Sequence, residues 1–313
     1  MTLPRPRSPF ARRDAPATLT VETPADERAD GSPTGSGTAN GHEPRRLIGH
    51  LVPLPGPRVG RAVFGHRLRP ALESPVPPAP PDPATVSIAL HDVTMVYPNG
   101  KRALSEVDLI VPDGDFVFLV GPSGAGKTTL TRLLLRDELA TGGVVYVDGQ
   151  DLARLGRPEV PRLRRRIGIV FQDFKLLPTK TVRENVAFAL EVTGTPSSAV
   201  RPAVERALAL VGLTAAADQR PAQLSGGEQQ RTAIARAMVH APRIVIADEP
   251  TGNLDPLISW EILQLLLHIN ELGTTVLMAT HNAEVVTALR KRVVALEEGR
   301  IVRDEVGGYH REY

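Results

Sequence analysis

The residues Gly121-Pro122-Ser123-Gly124-Ala125-Gly126-Lys127-Thr128 match G-x-x-x-x-G-K-[ST] at every fixed position. Each type has a use against phosphate. Glycines let the backbone wrap closely around an anion, with amide N–H groups turned inward. Lys127 brings a positive charge to the β- and γ-phosphates, and Thr128 offers a hydroxyl to Mg²⁺. With Thr129, the whole stretch from Gly121 is expected to contact nucleotide. Farther along, Asp248 and Glu249 stand side by side. Asp248 suits the Mg²⁺ shell, directly or through water. Glu249 suits polarising a water for in-line attack on a γ-phosphorus.

These groups need rigid supports at one edge of a sheet. Phe116-Val117-Phe118-Leu119-Val120 is an unbroken apolar run, as in a strand buried on both faces. Leu130, Leu133 and Leu134 follow at helical spacing, so the loop is predicted between a strand and a helix N-terminus. Ile244-Val245-Ile246-Ala247 is a second buried strand, with Asp248 and Glu249 at its C-terminal end, where open α/β sheets place their ligands. Thr275–Thr280 is a third, followed by His281, and Gln172 ends the run Ile167–Phe171. Residues 87–120 and 143–147 suit short strands with turns. Residues 173–240 are expected to be mainly helical, with helices over Thr181–Glu191 and Val200–Val211. Thr181 is the expected N-cap of the first, with Glu184 three residues on. The helix after Ser225-Gly226-Gly227 begins at an exposed glycine turn, so its free N–H groups and dipole can face a phosphate.

Leu224-Ser225-Gly226-Gly227-Glu228-Gln229-Gln230-Arg231, followed 17 positions beyond Arg231 by Asp248, resembles the signature of ATP-binding cassette (ABC) proteins. The resemblance covers residues 87–313. It implies an α/β fold: a P-loop NTPase cassette with a RecA-like core, an antiparallel β-subdomain and a helical signature subdomain. It also implies an ATPase and a homodimer, in which Ser225, Gly226, Gly227 and Glu228 reach ATP held by the second subunit. Glu228 stands where many cassettes have Gln. His281, 33 residues after Asp248, matches the switch histidine that holds Glu249 and the attacking water. Gln172 matches the Q-loop glutamine that senses Mg²⁺ and that water. Asp255 matches the loop that crosses the dimer interface, and Tyr97 the aromatic that stacks on adenine.

Within the family, Glu159–Arg165, Ile167–Asp173, Asn185-Val186-Ala187, Ala247–Asp255 and Val276–His281 are similar to the cell-division (FtsE) group. Gly299–Glu305 is similar to its actinobacterial forms. That resemblance implies an integral membrane partner of the FtsX kind and a place on the cytoplasmic face of the membrane at the septum. There the pair would control peptidoglycan hydrolases, with other septal proteins nearby. The alternatives are the ATPase of an exporter or of a lipoprotein-releasing system, and a septal tether with little turnover. The apolar Phe174, Leu176, Leu177 and Val182 are dense for a surface region and are expected to meet the membrane partner.

Composition sets outer limits. One P-loop and one signature in 313 residues make this half of a two-site assembly. With no cysteine there are neither disulfides nor thiolate metal sites. A net charge of +2 gives no case for nucleic acid. No apolar run approaches the roughly 18–20 residues that cross a bilayer, and no secretory leader is evident. Residues 1–85 hold 17 of the 29 prolines and show no periodicity, so they are expected to be a disordered, Pro/Arg-rich extension to the cassette at 86–313. Pro75–Pro83 suits an extended linker. Arg45, Arg46, Arg58, Arg61, Arg67 and Arg69 offer weak contact to anionic lipid as an alternative to a solvated tail. A competing expectation is translation from Val86, where family members begin, since a valine codon can serve as a bacterial start.

Overall fold

The computed structural model describes residues 79, 81–82 and 85–307. The expectations for the N-terminal extension therefore lie almost wholly outside the described residues. The description below concerns the unit running from Ala71 to Tyr313.

Two sheets carry the architecture. A six-stranded sheet has the order β10-β9-β3-β8-β7-β6. Its strands are β3 (Phe116–Val120), β6 (Ile167–Phe171), β7 (Ile244–Asp248), β8 (Thr275–Ala279), β9 (Arg292–Glu297) and β10 (Arg300–Val306). Five are parallel, and β10 returns antiparallel on β9 at the edge. A four-stranded antiparallel sheet, in the order β2-β1-β4-β5, is made from β1 (Val86–Val96), β2 (Arg102–Pro112), β4 (Gly142–Val147) and β5 (Gln150–Asp151). This is the expected antiparallel β-subdomain.

The parallel strands are apolar throughout because both faces are covered. Alternate side chains enter two different cores. Phe116, Phe118, Val245, Ala247, Val276 and Met278 join one, under the helical side. Val117, Leu119, Ile244, Ile246, Leu277 and Ala279 join the other, under β1, β2 and the helix α1 (Lys127–Leu134). The second core also takes Ile88, Leu90, Leu104, Leu109, Leu130 and Leu133, so one apolar cluster glues the β-subdomain and α1 to the sheet. Buried Asp148, in the turn between β4 and β5, binds Arg166 and accepts from Arg243 Nη1 at 2.9 Å. Those arginines lead into β6 and β7, so the pairs pin the start of both strands to the β-subdomain.

Among the described residues six further α-helices follow: α2 (Val160–Arg165), α3 (Val182–Glu191), α4 (Ser197–Leu210), α5 (Gly226–Met238), α6 (Pro256–Glu271) and α7 (Ala283–Leu289). The expected capping box at α3 is present. Thr181 Oγ1 accepts from Glu184 N at 3.2 Å, and Glu184 Oε2 accepts from Thr181 N at 2.7 Å. Helix α4 starts three residues before the predicted Val200, because Pro196 fixes the entry and the serines after it are tolerated in a first turn. Among the described residues no helix is long and apolar enough to cross a membrane.

Candidate nucleotide site and its surroundings

The loop Gly121–Gly126 joins β3 to α1 at the C-terminal edge of the six-stranded sheet. Its glycines answer to local contacts. A Cβ on Gly121 would stand 2.1 Å from the carbonyl oxygen of Leu296, and one on Gly126 would stand 2.7 Å from that of Ala103. Gly126 is also left-handed, with φ 114°, and no side chain caps α1. The first N–H groups of α1 therefore have no side-chain competitor for an anion. Lys127 Nζ donates to Gly121 O at 2.7 Å and to Pro122 O at 3.1 Å, which folds the ammonium over the loop.

A cleft of about 990 Å³ opens above this edge. Tyr97, Gly121–Gly124, Gly126–Thr129, Gln172, Asp248, Glu249 and His281 line it. Ala125 is buried beneath the loop. Thirteen positions expected to share a site thus come from the first β-hairpin, the P-loop, and the ends of β6, β7 and β8. Tyr97 is held by its hydroxyl, 3.2 Å from Thr129 Oγ1, so the ring and α1 are braced together.

The hydrolytic end is built on one unusual residue. Glu249 has φ 49°, a left-handed conformation that a glutamate rarely takes. Its N–H donates to Ala279 O at 3.0 Å, continuing the β7–β8 ladder past Asp248. The turn aims its carboxylate at His281, whose Nδ1 lies 2.8 Å from Glu249 Oε1. Asp248 is half-buried. Burial first, and then the charge of Glu249, push its carboxyl above the usual carboxylate range, while Lys127 draws it back. An added cation would relieve the same strain.

Gln172 lies on the cleft wall, and its side chain is engaged by Asn253. Its Nε2 donates to Asn253 Oδ1 at 3.3 Å, and Asn253 Nδ2 donates back to Gln172 O at 3.2 Å. The segment after β6 is thereby tied to the loop after β7. The two residues beyond Asp173 are both left-handed, with φ 56° at Phe174 and 50° at Lys175. Arg236 of α5 donates to both of their carbonyls, at 2.8 and 2.7 Å.

Ser225, Gly226, Gly227, Glu228 and Asp255 do not line this cleft. Ser225 is the N-cap of α5, in a reciprocal box with Glu228. Glu228 N donates to Ser225 Oγ at 3.3 Å, and Ser225 N to Glu228 Oε2 at 2.8 Å. These bonds, from the backbone and then the hydroxyl of Ser225, hold the Glu228 carboxyl below its ordinary range. Asp255 caps α6, accepting from Ile258 N at 3.0 Å. Gly227 has a reason that its sequence context did not suggest. A Cβ there would lie 2.6 Å from Ile258 Cγ2, so close packing of α5 on α6 excludes a side chain.

One expectation fails. Val182, placed with the partner-contact residues, is fully buried in the core under the helical side. As the first residue of α3 it points inward, where the apolar cluster needs it. Phe174, Leu176 and Leu177 are partly exposed.

Comparison with known proteins agrees with this architecture. Residues 104–252 match the family model described as ABC transporter. The cell division ATP-binding protein FtsE of Bacillus subtilis (strain 168) is 53% identical over 226 residues, covering 72% of this chain and 99% of that protein. The protein of the same name from Mycobacterium tuberculosis is 52% identical over 224 residues, covering 71% and 97%. Among solved structures, the dimeric post-hydrolysis state of the ATP-binding cassette MJ0796 bound to ADP and Pi superposes with a TM-score of 0.62 at 36% identity, over 70% of this chain and 98% of that one. The chain therefore belongs to the ATP-binding ABC-type ATPases and, among them, to the family of cell division ATP-binding proteins called FtsE.

Proposed function

We propose that the protein is the ATPase subunit of an FtsEX-type complex, and that ATP-driven pairing of two copies is passed to a membrane partner to control septal peptidoglycan hydrolysis. One observation carries this reading. Lys127, Asp248, Glu249 and His281 converge on one cleft, while the glycine turn of α5 stands outside it. A turn that suits phosphate but misses its own subunit's site suits the site of a second copy. The dimeric relative described above lends support to that arrangement. The proposed position is the cytoplasmic face of the membrane at the division septum, held there by a partner resembling FtsX.

The residues divide the work as follows. Backbone N–H groups from Gly121 to Thr129 and the Lys127 ammonium cradle the phosphates. Tyr97 stacks on the base. Mg²⁺ fits the donor set, since Asp248, the Thr128 hydroxyl and the Gln172 amide supply hard oxygens, and the described residues form no closed cluster of metal ligands. That suits an ion that keeps waters and substrate phosphates. When bound, it would neutralise charge on the β- and γ-phosphates. Glu249 takes a proton from the attacking water, and His281, already bonded to it, fixes its orientation. Ser225, Gly226 and Gly227 of the second copy close over the γ-phosphate, with Glu228 and Asp255 at the seam. Binding energy that favours the closed pair shifts a two-state equilibrium, and hydrolysis resets it. The cassette is proposed to span 86–313, with residues 1–85 dispensable for turnover.

The test is Glu249→Gln. Turnover should fall about 100-fold or more, the worth of a general base, with ATP binding kept. Light scattering should show an ATP-dependent dimer that wild type forms only transiently. A variant that stays monomeric with saturating ATP and Mg²⁺ would overturn the two-copy mechanism. Cells in which this variant still divides normally would favour the tether.

A further inference from the structure

Gln230 lies on α5, five residues past Ser225, and is completely buried. Its Nε2 donates to the carbonyl oxygen of Pro250 at 2.6 Å. Its Oε1 has no hydrogen-bonding partner among the described residues. Pro250 follows Glu249, the left-handed residue on which the bond to His281 depends.

A structural duty alone does not explain this amide. Burying a side-chain amide that makes one hydrogen bond and leaves its oxygen unpaired costs stability, which the bond to the Pro250 carbonyl offsets only in part. Glutamine is therefore a poor core residue here, unless the one bond it makes serves something else. That bond grips the peptide at which β7 leaves the sheet and the chain turns to present Glu249. Proline donates no N–H, so its carbonyl is the only polar backbone group Pro250 has with which to be held. Glu249 N on Ala279 O and Gly252 N on Glu249 O, at 3.0 and 3.1 Å, hold the turn from the strand end and from the loop itself. Ser259 of α6 and Gln172 reach the loop farther on, at Thr251 and Asn253. Among the described residues, Gln230 alone hydrogen-bonds the turn from α5.

We propose that Gln230 is a positioning residue for Glu249, and that through it the glycine-turn end of α5 governs the hydrolytic carboxylate of its own subunit. The coupling rests on the two-copy mechanism proposed above. In that mechanism the start of α5 meets ATP held by the second subunit, and Gln230 sits on the same rigid helix less than two turns on. A shift of α5 when the partner's nucleotide is bound moves the Pro250 carbonyl and re-aims Glu249. Occupancy of one site thereby sets the readiness of the other.

Two substitutions test this. Gln230→Met keeps the length, removes the donor and removes the unpaired oxygen. Losing the unpaired oxygen offsets leaving the Pro250 carbonyl without its donor, so its melting temperature should stay close to that of wild type, and its ATP dissociation constant should be unchanged. Its kcat should fall tenfold or more, and the Hill coefficient for ATP should drop to 1. Gln230→Glu carries a donor only while protonated, and burial raises the pKa of such a carboxyl. Its kcat should approach wild type at low pH and fall as pH rises through that value, a step absent from wild type and from Gln230→Met. Wild-type kcat in Gln230→Met overturns the proposal. So does a loss of kcat that comes with a lowered melting temperature in both variants and no pH step in Gln230→Glu. If Gln230→Met does not fold, the pH step in Gln230→Glu decides alone. ATP-dependent dimerisation of Glu249→Gln, measured alongside, separates the two ideas. A monomer there with a pH step in Gln230→Glu leaves positioning standing and removes the coupling between copies.

Discussion

Helix α1 and helix α5 both begin at glycine turns, yet they treat their free N–H groups oppositely. At α1 the N-cap is Gly126, left-handed, with no side-chain cap. At α5 Ser225 and Glu228 close the end with a reciprocal box. The first end is an anion site ready for use, lying in a cleft beside Lys127. The second is partly closed, because side chains already hold the N–H groups of Ser225 and Glu228. On the two-copy mechanism proposed above, a single chain would bind nucleotide at α1, and α5 would contribute once a partner brings phosphate to it. That mechanism would then run with nucleotide first and pairing second.

The comparison breaks most readily at α1. Replacing Lys127 by Ala should weaken ATP binding about 100-fold, since a charge-assisted contact is worth close to 3 kcal/mol. Equilibrium titration with a fluorescent ATP analogue checks it. The fold should survive, because among the described residues the Lys127 side chain bonds only to carbonyls of its own loop.

Between the two ends lies the segment after Gln172. Phe174→Asp should leave ATP binding intact and weaken capture by the membrane partner about tenfold, as loss of an aromatic anchor does. Aspartate tolerates the left-handed backbone at this position, so strain does not confuse the result. Co-sedimentation with partner-containing membranes reads the loss, and unchanged sedimentation removes Phe174 from the contact surface.

At α5 the effects are smaller. Ser225→Ala should cost about 1 kcal/mol of stability as a lost N-cap, measured by denaturant unfolding, and should raise the ATP concentration needed for pairing without changing binding at α1. Smallest is the charge of Glu228. Its carboxyl is depressed in the folded chain, so the stability it gives is fully present above the unfolded carboxylate range. That stability is lost as pH falls through the folded value, which lies below the ordinary glutamate range. Glu228→Gln keeps a capping side chain but carries no such titration. A difference of a few tenths of a kcal/mol between the two at neutral pH, vanishing in acid, is expected.

The sequence was most legible where physics is local. Apolar runs ending in Asp248, His281 and Gln172 located β7, β8 and β6, because strands buried on both faces leave nothing else in composition. The box at Thr181 was visible because its two halves are three residues apart. The same spacing exists at Ser225 and Glu228, so the signal for that cap was present too, hidden behind a motif with another meaning. What could not be read depends on distant partners. The inward turn of Val182, the exchange between Gln172 and Asn253, the brace from Tyr97 to Thr129 and the packing of Gly227 on Ile258 are all contacts between segments far apart in the chain. The Pro250 carbonyl gives no trace in composition at all.

The alternation of the parallel strands between two cores acts as a parity rule on chain length. Along β7 the even positions Ile244 and Ile246 belong to one cluster, and the odd positions Val245 and Ala247 to the other. Glu249, turned left-handed, is where the count stops. One residue gained inside the strand would exchange the two sets and carry Asp248 to the station of Glu249, and one lost would carry Glu249 to that of Asp248. Point substitutions in these strands can be absorbed by neighbouring side chains, but length changes cannot. Viable insertions and deletions should therefore be confined to turns outside the six-stranded sheet, such as that between α3 and α4. An insertion scan of the gene, scored by survival, would show the sheet as unbroken gaps.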